Sequence, residues 1–504
     1  MNQLQQKIIE YSQADDNSIA IRGDNQVLTY ADLYSQISYL QAQLDATRIG
    51  LYMENHPAWA ICDLALFFSQ KCSVPIPVFF SDQQVNHSIK DAQLELIITD
   101  NKDKIISLNI NIVKQQTLEI AAKTIYLLFL DSGYLNEYSV KNNEVNCKIT
   151  YTSGTTGKPK GVILDNQTIV AKMQSLAIAC QAQVTDKALC LLPLSTLLEN
   201  IGGLYIALFC GAQVTILAPQ KTGIKGTNQV DVKQLLATLS NVSPTAFIIN
   251  PQLLLLLIYS IKQGYQLPQT IRFIALGGAP IAKQVLQQAA SLNIPVYEGY
   301  GLSEACSVVS LNSPDNSIQT KTDLINQSLG SVGKVLDDIS IKIADDGEIL
   351  LKGALFKGYL GAPKKIDNKH FFATGDLGNI DKDGFLYIKG RKKNVIITSS
   401  GRNISPEWIE KELLISPDII QCIVYGDGLD ALIAIIVFAP ESLVFQQQHF
   451  LQQVNAHLPA YAQIKFFITA NEPFSLANKQ LSTTGQPLRG VIYLHYKKNR
   501  QLPL

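Results

Sequence analysis

The residues of this chain best suited to chemistry lie between Tyr151 and Val162, in the order Tyr-Thr-Ser-Gly-Thr-Thr-Gly-Lys-Pro-Lys-Gly-Val. Glycine lets successive backbone N–H groups converge on one point and form a concavity for an anion, and hydroxyl and ammonium groups add donors. Thr152, Ser153, Gly154, Thr155, Thr156, Gly157 and Lys158 are therefore candidates for holding a polyphosphate. A Walker loop is excluded, because Pro159 stands where Ser or Thr would have to follow Gly-Lys. The flanking apolar residues, Ile149 and Tyr151 before and Val162 to Leu164 after, follow period two and predict a loop between two strands.

Three further segments carry groups of the same kind. Gly277-Gly278-Ala279-Pro280 follows the apolar run Ile271 to Leu276 and precedes a helical pattern through Ile281 and Val285. Glycine there lets a ligand lie against the backbone at the carboxyl edge of a sheet, although a helix-packing glycine pair would read the same. Glu298-Gly299-Tyr300-Gly301-Leu302-Ser303-Glu304 offers an aromatic face for a purine and glycines for close approach. It also places a hydroxyl beside a carboxylate suited to Mg²⁺ among phosphates. In Thr374-Gly375-Asp376 the carboxylate can accept from two vicinal hydroxyls or cap a turn.

In this order the segments resemble the motifs of the adenylate-forming (AMP-binding) superfamily: acyl-CoA synthetases, luciferases and peptide-synthetase adenylation domains. Among these the chain is most similar to the long-chain fatty-acid–CoA ligases. The resemblance begins near Leu28-Thr29-Tyr30 and runs to about Arg489. It implies that residues 152–158 hold the β and γ phosphates of ATP. Gly278, Ala279 and Pro280 would then lie beside the adenine, within a nucleotide site that takes in Glu298, Gly299, Gly301 and Ser303. Tyr300 would stack on the base, Glu304 would hold Mg²⁺, and Asp376 would bind the ribose hydroxyls. Gly390-Arg391-Lys392-Lys393-Asn394 is similar to the segment that ends the family's large domain, with Arg391 on ribose or phosphate and Asn394 in place of a hinge aspartate. Ser400 to Pro406 continues the match, and Gly401 falls near the family's pantetheine tunnel.

The implied reaction is ATP-dependent activation of a carboxylic acid as acyl-adenylate, then transfer to a thiol. The thiol would be coenzyme A or the phosphopantetheine of an acyl carrier protein. Leu192 to Asn200 resembles the family's acid-binding segment, with Thr196 where a histidine is usual. No aspartate between Pro193 and Asn200 is present to pair with an amino-acid ammonium, whose burial alone would be costly. A fatty or other apolar carboxylic acid is therefore expected. The run Ile201 to Phe209 reads equally as acyl-pocket lining and as plain core. The family's catalytic lysine falls in the stretch matched by Asn478 to Gln486, and its position is held by Gln486; Lys479 and Arg489 lie nearby. Two readings follow: a working ligase, or a nucleotide- and acyl-binding relative with weakened adenylation that acts through a partner protein.

These groups need elements to hold them. Leu33, Ile37, Leu40 and Leu44 recur at helical spacing behind Asp32, and Val232 to Leu239 form a second such face. Apolar runs alternate with helical patterns to Tyr300, which predicts parallel strands with crossover helices. Past residue 330, Asp346-Gly347 and Asp383-Gly384 between alternating apolar residues predict hairpins. Ser405-Pro406 opens a helix, and strands flank Gly426-Asp427-Gly428. The expected architecture is α/β multidomain. Residues 1–392 would form a large domain of two α/β subdomains and a β-rich one, and residues 393–504 a small mobile α+β domain hinged near Lys393-Asn394.

The 504 residues carry no net formal charge and are only 17% charged, so bulk electrostatics favours neither nucleic acid nor an anionic membrane. Eight cysteines without a C-x-x-C pair and six histidines without metal-ligand spacing point to buried thiols in a reduced compartment. The polar opening Asn2-Gln3-Leu4-Gln5-Gln6 is unlike a signal peptide, and Leu253 to Ile258 is too short to span a membrane, so a cytoplasmic protein is expected.

Overall fold

The structure is a computed structural model. It describes the chain apart from residues 15–16, 132–146, 153–158, 226–228, 315–328, 362–369, 400–401, 417, 430, 440–443, 476, 483–485 and 499–504. Alternation of apolar runs and amphipathic helices produces two large sheets, as expected. In the first, the strands Val296–Tyr300, Phe273–Leu276, Ala246–Ile249, Lys187–Cys190, Gln213–Ile216 and Ile19–Arg22 lie side by side and parallel. Short antiparallel strands extend it at both edges to nine. In the second, of eight strands, Cys147–Thr152 runs parallel to Cys72–Pro75 and antiparallel to Lys160–Asp165. The hairpin that frames residues 153–159 is in register from Cys147 opposite Asp165 to Thr152 opposite Lys160.

The predicted strand, loop and strand are found, and both strands are covered: Cys147 to Tyr151 are all buried and so are Gly161 to Leu164. The strand lies inside the sheet with both faces covered, where apolar runs are continuous.

The β-rich region is a four-stranded antiparallel sheet, Ile339–Ile343, Glu348–Gly353, Phe372–Ile380 and Leu386–Arg391. The two predicted turns sit in its hairpins. Beyond it, Ile419–Tyr425, Leu432–Phe438 and Ile464–Thr469 form a three-stranded sheet, packed with helices that include Pro406–Leu413.

Helix starts follow their caps. Asp231 accepts from Gln234 N at the head of Val232–Val242. In the helix Tyr30–Gln41 the cap is Thr29 rather than Asp32: Thr29 Oγ1 accepts from Asp32 N at 3.1 Å while Asp32 Oδ2 accepts from Thr29 N at 3.0 Å. Asp32 is the third residue of a capping box, so it belongs one turn inside the start that the apolar spacing suggested.

Leu198–Tyr205 is a π-helix continued by the α-helical turn Ile206–Phe209. The apolar run 201–209 is largely core: Ile201, Leu204, Tyr205, Ile206, Ala207 and Leu208 are buried. Glu199 is fully buried there, with one carboxyl oxygen accepting from Leu192 N and the other without a hydrogen-bond partner. Burial pushes its pKa up to about 8, so the carboxyl is largely protonated at neutral pH. All eight cysteines are thiols, six of them buried. Among the described residues no helix is long and apolar enough to cross a membrane, and no group of three His, Cys, Asp or Glu residues could hold a metal ion.

Two stability predictions follow from these elements. Thr29→Ala removes the capping oxygen and should cost about 1 kcal/mol, read as a lowered urea midpoint at unchanged slope; an unmoved midpoint would show that the box contributes nothing. Glu199 binds its proton more tightly folded than unfolded, so its contribution to stability falls as pH rises from about 4.5 towards about 8. Glu199→Gln should flatten that part of the stability–pH curve, and parallel curves for the two proteins would refute it.

Candidate active site

Of the predicted residues, Gly278 to Pro280 and Glu298 to Glu304 follow or end parallel strands of the first sheet, and Asp376 and Arg391 reach Tyr300 from the antiparallel sheet. Gly277 to Pro280 leave the strand Phe273–Leu276, and Gly278 has a φ of 88°, in the left-handed region that glycine adopts without strain. Gly278, Ala279 and Pro280 are exposed, and nothing lies within 4 Å of where a Cβ on Gly278 would stand. The backbone is open to a ligand on that side. A Cβ on Gly277 would lie 3.7 Å from Leu198 Cδ2 and 4.0 Å from the Gly299 carbonyl, so the turn faces the start of the π-helix across a narrow gap.

The neighbouring strand ends at Tyr300. The Tyr300 hydroxyl donates to Asp376 Oδ2 at 2.5 Å, and Arg391 Nε lies 2.7 Å from Asp376 Oδ1. Thr374, Asp376 and Arg391 come from the last hairpin of the antiparallel sheet, where Asp376 pairs in register with Arg391. That register is why residues 15 positions apart meet. Burial raises the Asp376 pKa, and the guanidinium opposes the rise. Both carboxylate oxygens keep a second lone pair for other donors.

Gly301 is forced: a Cβ there would come within 1.6 Å of the Ser307 carbonyl oxygen. The tight path carries the chain into the short 3₁₀ turn Ser303–Ala305. Glu304 Oε1 accepts from the Tyr359 hydroxyl at 2.6 Å, and its backbone carbonyl accepts from Phe356 N. Tyr359 was not among the residues singled out from sequence. It lies on Gly358–Tyr359 at the edge of the second sheet, paired with Val162, and Lys160 Nζ sits 5.5 Å from its ring centroid. The only sequence signal was a Gly-Tyr pair with an aromatic near the phosphate-loop strand in space but not in the chain.

Other expected residues are placed less directly. Thr152 is half-buried at the end of its strand opposite Lys160. Ser153, Gly154, Thr155, Thr156, Gly157 and Lys158 lie outside the described residues, as does Gly401. Glu298 is buried, with Oε2 unpartnered, and burial pushes its pKa up to about 7 against the pull of Lys411. Gly299 is packed against Leu311 and Ser310 of the adjoining strand. The Thr196 hydroxyl donates to the Pro193 carbonyl at 2.7 Å, and its own carbonyl accepts from Asn200 N at the head of the π-helix.

The C-terminal region reaches the same place. Gln486 Nε2 donates to the Gly278 carbonyl at 2.7 Å, across 208 residues. Arg489, by contrast, is tied to Glu410 and to the Val424 carbonyl, away from the turn. Lys479 is exposed at a positive φ. Between the two regions, Lys392 bridges Asp346 and Glu348 of the antiparallel sheet, whereas Asn394 Nδ2 donates to Glu407 on the next helix at 2.6 Å.

The motifs and the fold agree with known proteins. The model of the AMP-binding enzyme family matches residues 10–360, well over half of the chain. The 2-succinylbenzoate–CoA ligase of Bacillus velezensis is 26% identical over 439 residues, 83% of this chain and 84% of that protein. Long-chain-fatty-acid–CoA ligase 5 of Rattus norvegicus is 26% identical over 539 residues, covering 86% and 77%. Among solved structures, O-succinylbenzoate coenzyme A synthetase from Bacillus subtilis, in complex with ATP and magnesium ion, superposes with a TM-score of 0.74. It covers 96% of this chain and 98% of that one at 23% identity, a likeness that establishes the multidomain α/β fold. On the match to its family model and the order of its motifs, the chain belongs to the AMP-binding enzyme family.

Proposed function

We propose that this chain uses ATP to activate a carboxylic acid as an acyl-adenylate and then passes the acyl group to a thiol, with coenzyme A favoured by the names of its relatives. The observation that carries this reading is the convergence of Tyr300, Asp376 and Arg391 beside the open Gly278 backbone, with Gln486 closing over it. Such a cleft suits a nucleoside: an aromatic ring and exposed backbone for the base, a held carboxylate for two hydroxyls. The hairpin ending at Thr152 would bring residues 153–158 to the β and γ phosphates.

In the first step a substrate carboxylate oxygen attacks the α-phosphorus, and the bond to the pyrophosphate oxygen breaks. In the second, a thiolate attacks the acyl carbon and AMP leaves. Positioning and charge neutralisation do most of the work in such transfers. Glu304 fits a magnesium site held largely by the nucleotide: a single hard carboxylate, one oxygen of which is already oriented by Tyr359. Bound there, Mg²⁺ would neutralise charge on the phosphates. Gln486, at the position of the family's lysine, supplies hydrogen-bond donors without charge.

For the acid, we infer an apolar substrate. The side of the turn that faces the π-helix meets an aliphatic group, Leu198, and the next residue, Glu199, is buried with its carboxyl largely protonated. The names of the relatives divide between 2-succinylbenzoate and long-chain fatty acids, so an aromatic acid competes with a fatty one. Two domains meeting at Lys393 are proposed as well. Lys392 is bound to the sheet before it and Asn394 to the helix after it, which leaves one residue between two anchors to act as a hinge.

An ATP–pyrophosphate exchange panel over fatty acids of increasing length and aromatic acids tests the reading. Exchange with at least one apolar acid is expected, and Glu304→Gln and Tyr359→Phe should both lower it while raising the Mg²⁺ needed. Absence of exchange, with Mg·ATP still raising the melting temperature, would favour a nucleotide-binding relative that works through a partner. A second test concerns the missing cation. Loss of one preorganised stabilising group costs on the order of 10²–10³ in rate. Gln486→Lys should therefore speed single-turnover adenylation without speeding thiol attack on a supplied acyl-adenylate. Equal adenylation rates would mean that another group already supplies the charge.

A further inference from the structure

Behind the cleft, and untouched by the chemistry above, an ion pair is buried completely. Lys148, on the strand leading to Thr152, and Asp63, on the helix Pro57–Phe68, are 1% and 0% exposed. Lys148 Nζ donates to both Asp63 oxygens, at 2.8 and 2.9 Å. The remaining partners come from the π-helix and from Ser73, whose hydroxyl reaches Asp63 Oδ1 at 3.4 Å. Asn200 bridges the pair: its Nδ2 donates to Asp63 Oδ2 at 2.8 Å and its Oδ1 accepts from Lys148. Tyr205 does the same, donating to Asp63 Oδ2 at 2.6 Å and accepting from Lys148 at 3.2 Å. Each helical partner thus reads both ends of the ionic dipole.

The spacing of those partners is informative. Residues five apart on an α-helix point about 140° away from each other, so Asn200 and Tyr205 could not both face one ion pair. A π-helix closes i to i+5 hydrogen bonds and brings such residues to one side. The bond from Ile206 N–H to the Ile201 carbonyl has that form. A buried ion pair gives little net stability but is sharply sensitive to which groups complete it. Leu198 heads the same helix and faces Gly277.

We propose that Lys148 and Asp63, with Asn200 and Tyr205, are positioning residues that hold 198–205 in the π form and so fix Leu198 against the Gly277 turn, where the acid of the proposed reaction would lie. The second half of this rests on the ligase reading. The first does not.

Tyr205→Phe tests both halves, since it deletes one hydroxyl and keeps the ring that packs 5.4 Å from Phe67. Hydrogen exchange at the Ile206 amide should quicken by at least about tenfold, while the strands of the eight-stranded sheet keep their protection. In the exchange panel, the ratio of kcat/KM between a long and a short acid should shift by about fivefold or more, with KM for Mg·ATP unchanged. A pair that only stabilises the core would leave that ratio alone. The double variant Asp63→Leu, Lys148→Met should show the same shift in the acid ratio as Tyr205→Phe; if it does not fold, Tyr205→Phe alone decides. Unchanged exchange at Ile206 overturns the proposal, and a loosened helix with an unmoved acid ratio overturns its link to the pocket. If the wild type activates no acid, the ligase reading and the pocket link fail together, and exchange at Ile206 still decides whether the ion pair holds the helix.

Discussion

A carboxylate and an ammonium without solvent set the geometry on which the rest of this molecule depends. Removing Asp63 and Lys148 from water costs several kcal/mol for each ion, and their attraction repays it only when every remaining donor and acceptor is satisfied. Here the satisfying groups come from two elements: Ser73 from the neighbouring strand, Asn200 and Tyr205 from the π-helix. The helix Pro57–Phe68, the strand Cys147–Thr152 and the π-helix therefore cannot shift independently without stranding a buried charge. A well-packed apolar cluster would tolerate such slippage far better. The strand joined in this way ends four residues later at Thr152, and the helix begins at Leu198, so the two sides of the proposed substrate cleft would share one fixed point.

The nucleotide side is held differently. Asp376 is buried but lies beside an exposed guanidinium, and its two oxygens take one donor each from Tyr300 and Arg391. Burial works against its charge while Arg391 works for it. A carboxylate balanced in this way is oriented without being saturated, which is what a group awaiting two further hydroxyl donors requires. Glu304 follows the same pattern, with one oxygen tied to Tyr359. Both acids are aimed by phenols, whose rigid rings lose little conformational freedom in doing so.

Much of this could be read from the chain because its causes are local. Glycines at 347 and 384 both adopt a φ of 84°, and each turned a sequence signal into the hairpin it predicted. Asp231 capped its helix for the same reason. The hairpin around 153–158 appeared because strand, loop and strand are contiguous. The cap of the helix Tyr30–Gln41, Thr29, lies outside the apolar periodicity that marks the helix, so that periodicity locates the helix and not its first residue. What could not be read is what depends on distant pairing. Tyr359 meets Glu304 only because a two-residue edge strand pairs with Val162 and Ile163. The π form of 198–205 leaves no apolar period of its own, and Lys148 looks in sequence like a lone charged residue in a strand. Only the register opposite Ser73 brings it to Asp63.

Gln486 shows how the two kinds of information combine. By resemblance it stands where a cation is expected; in the structure its amide N–H donates to the Gly278 carbonyl. A hydrogen bond between neutral groups is worth about 0.5–1.5 kcal/mol net. That is enough to favour the closed arrangement and small enough to be broken in each proposed cycle. A lysine there would draw its closing energy from the negative charge of the nucleotide, so closure would depend on substrate and fade with salt. The amide needs neither. Arg489, the nearest strong cation on the same segment, is committed to Glu410 and the Val424 carbonyl, so it holds the C-terminal region together rather than the phosphate. On the proposed mechanism, the contact that would close the cleft and the charge that would speed the chemistry are therefore separate in this chain, and of the two the C-terminal loop supplies the contact.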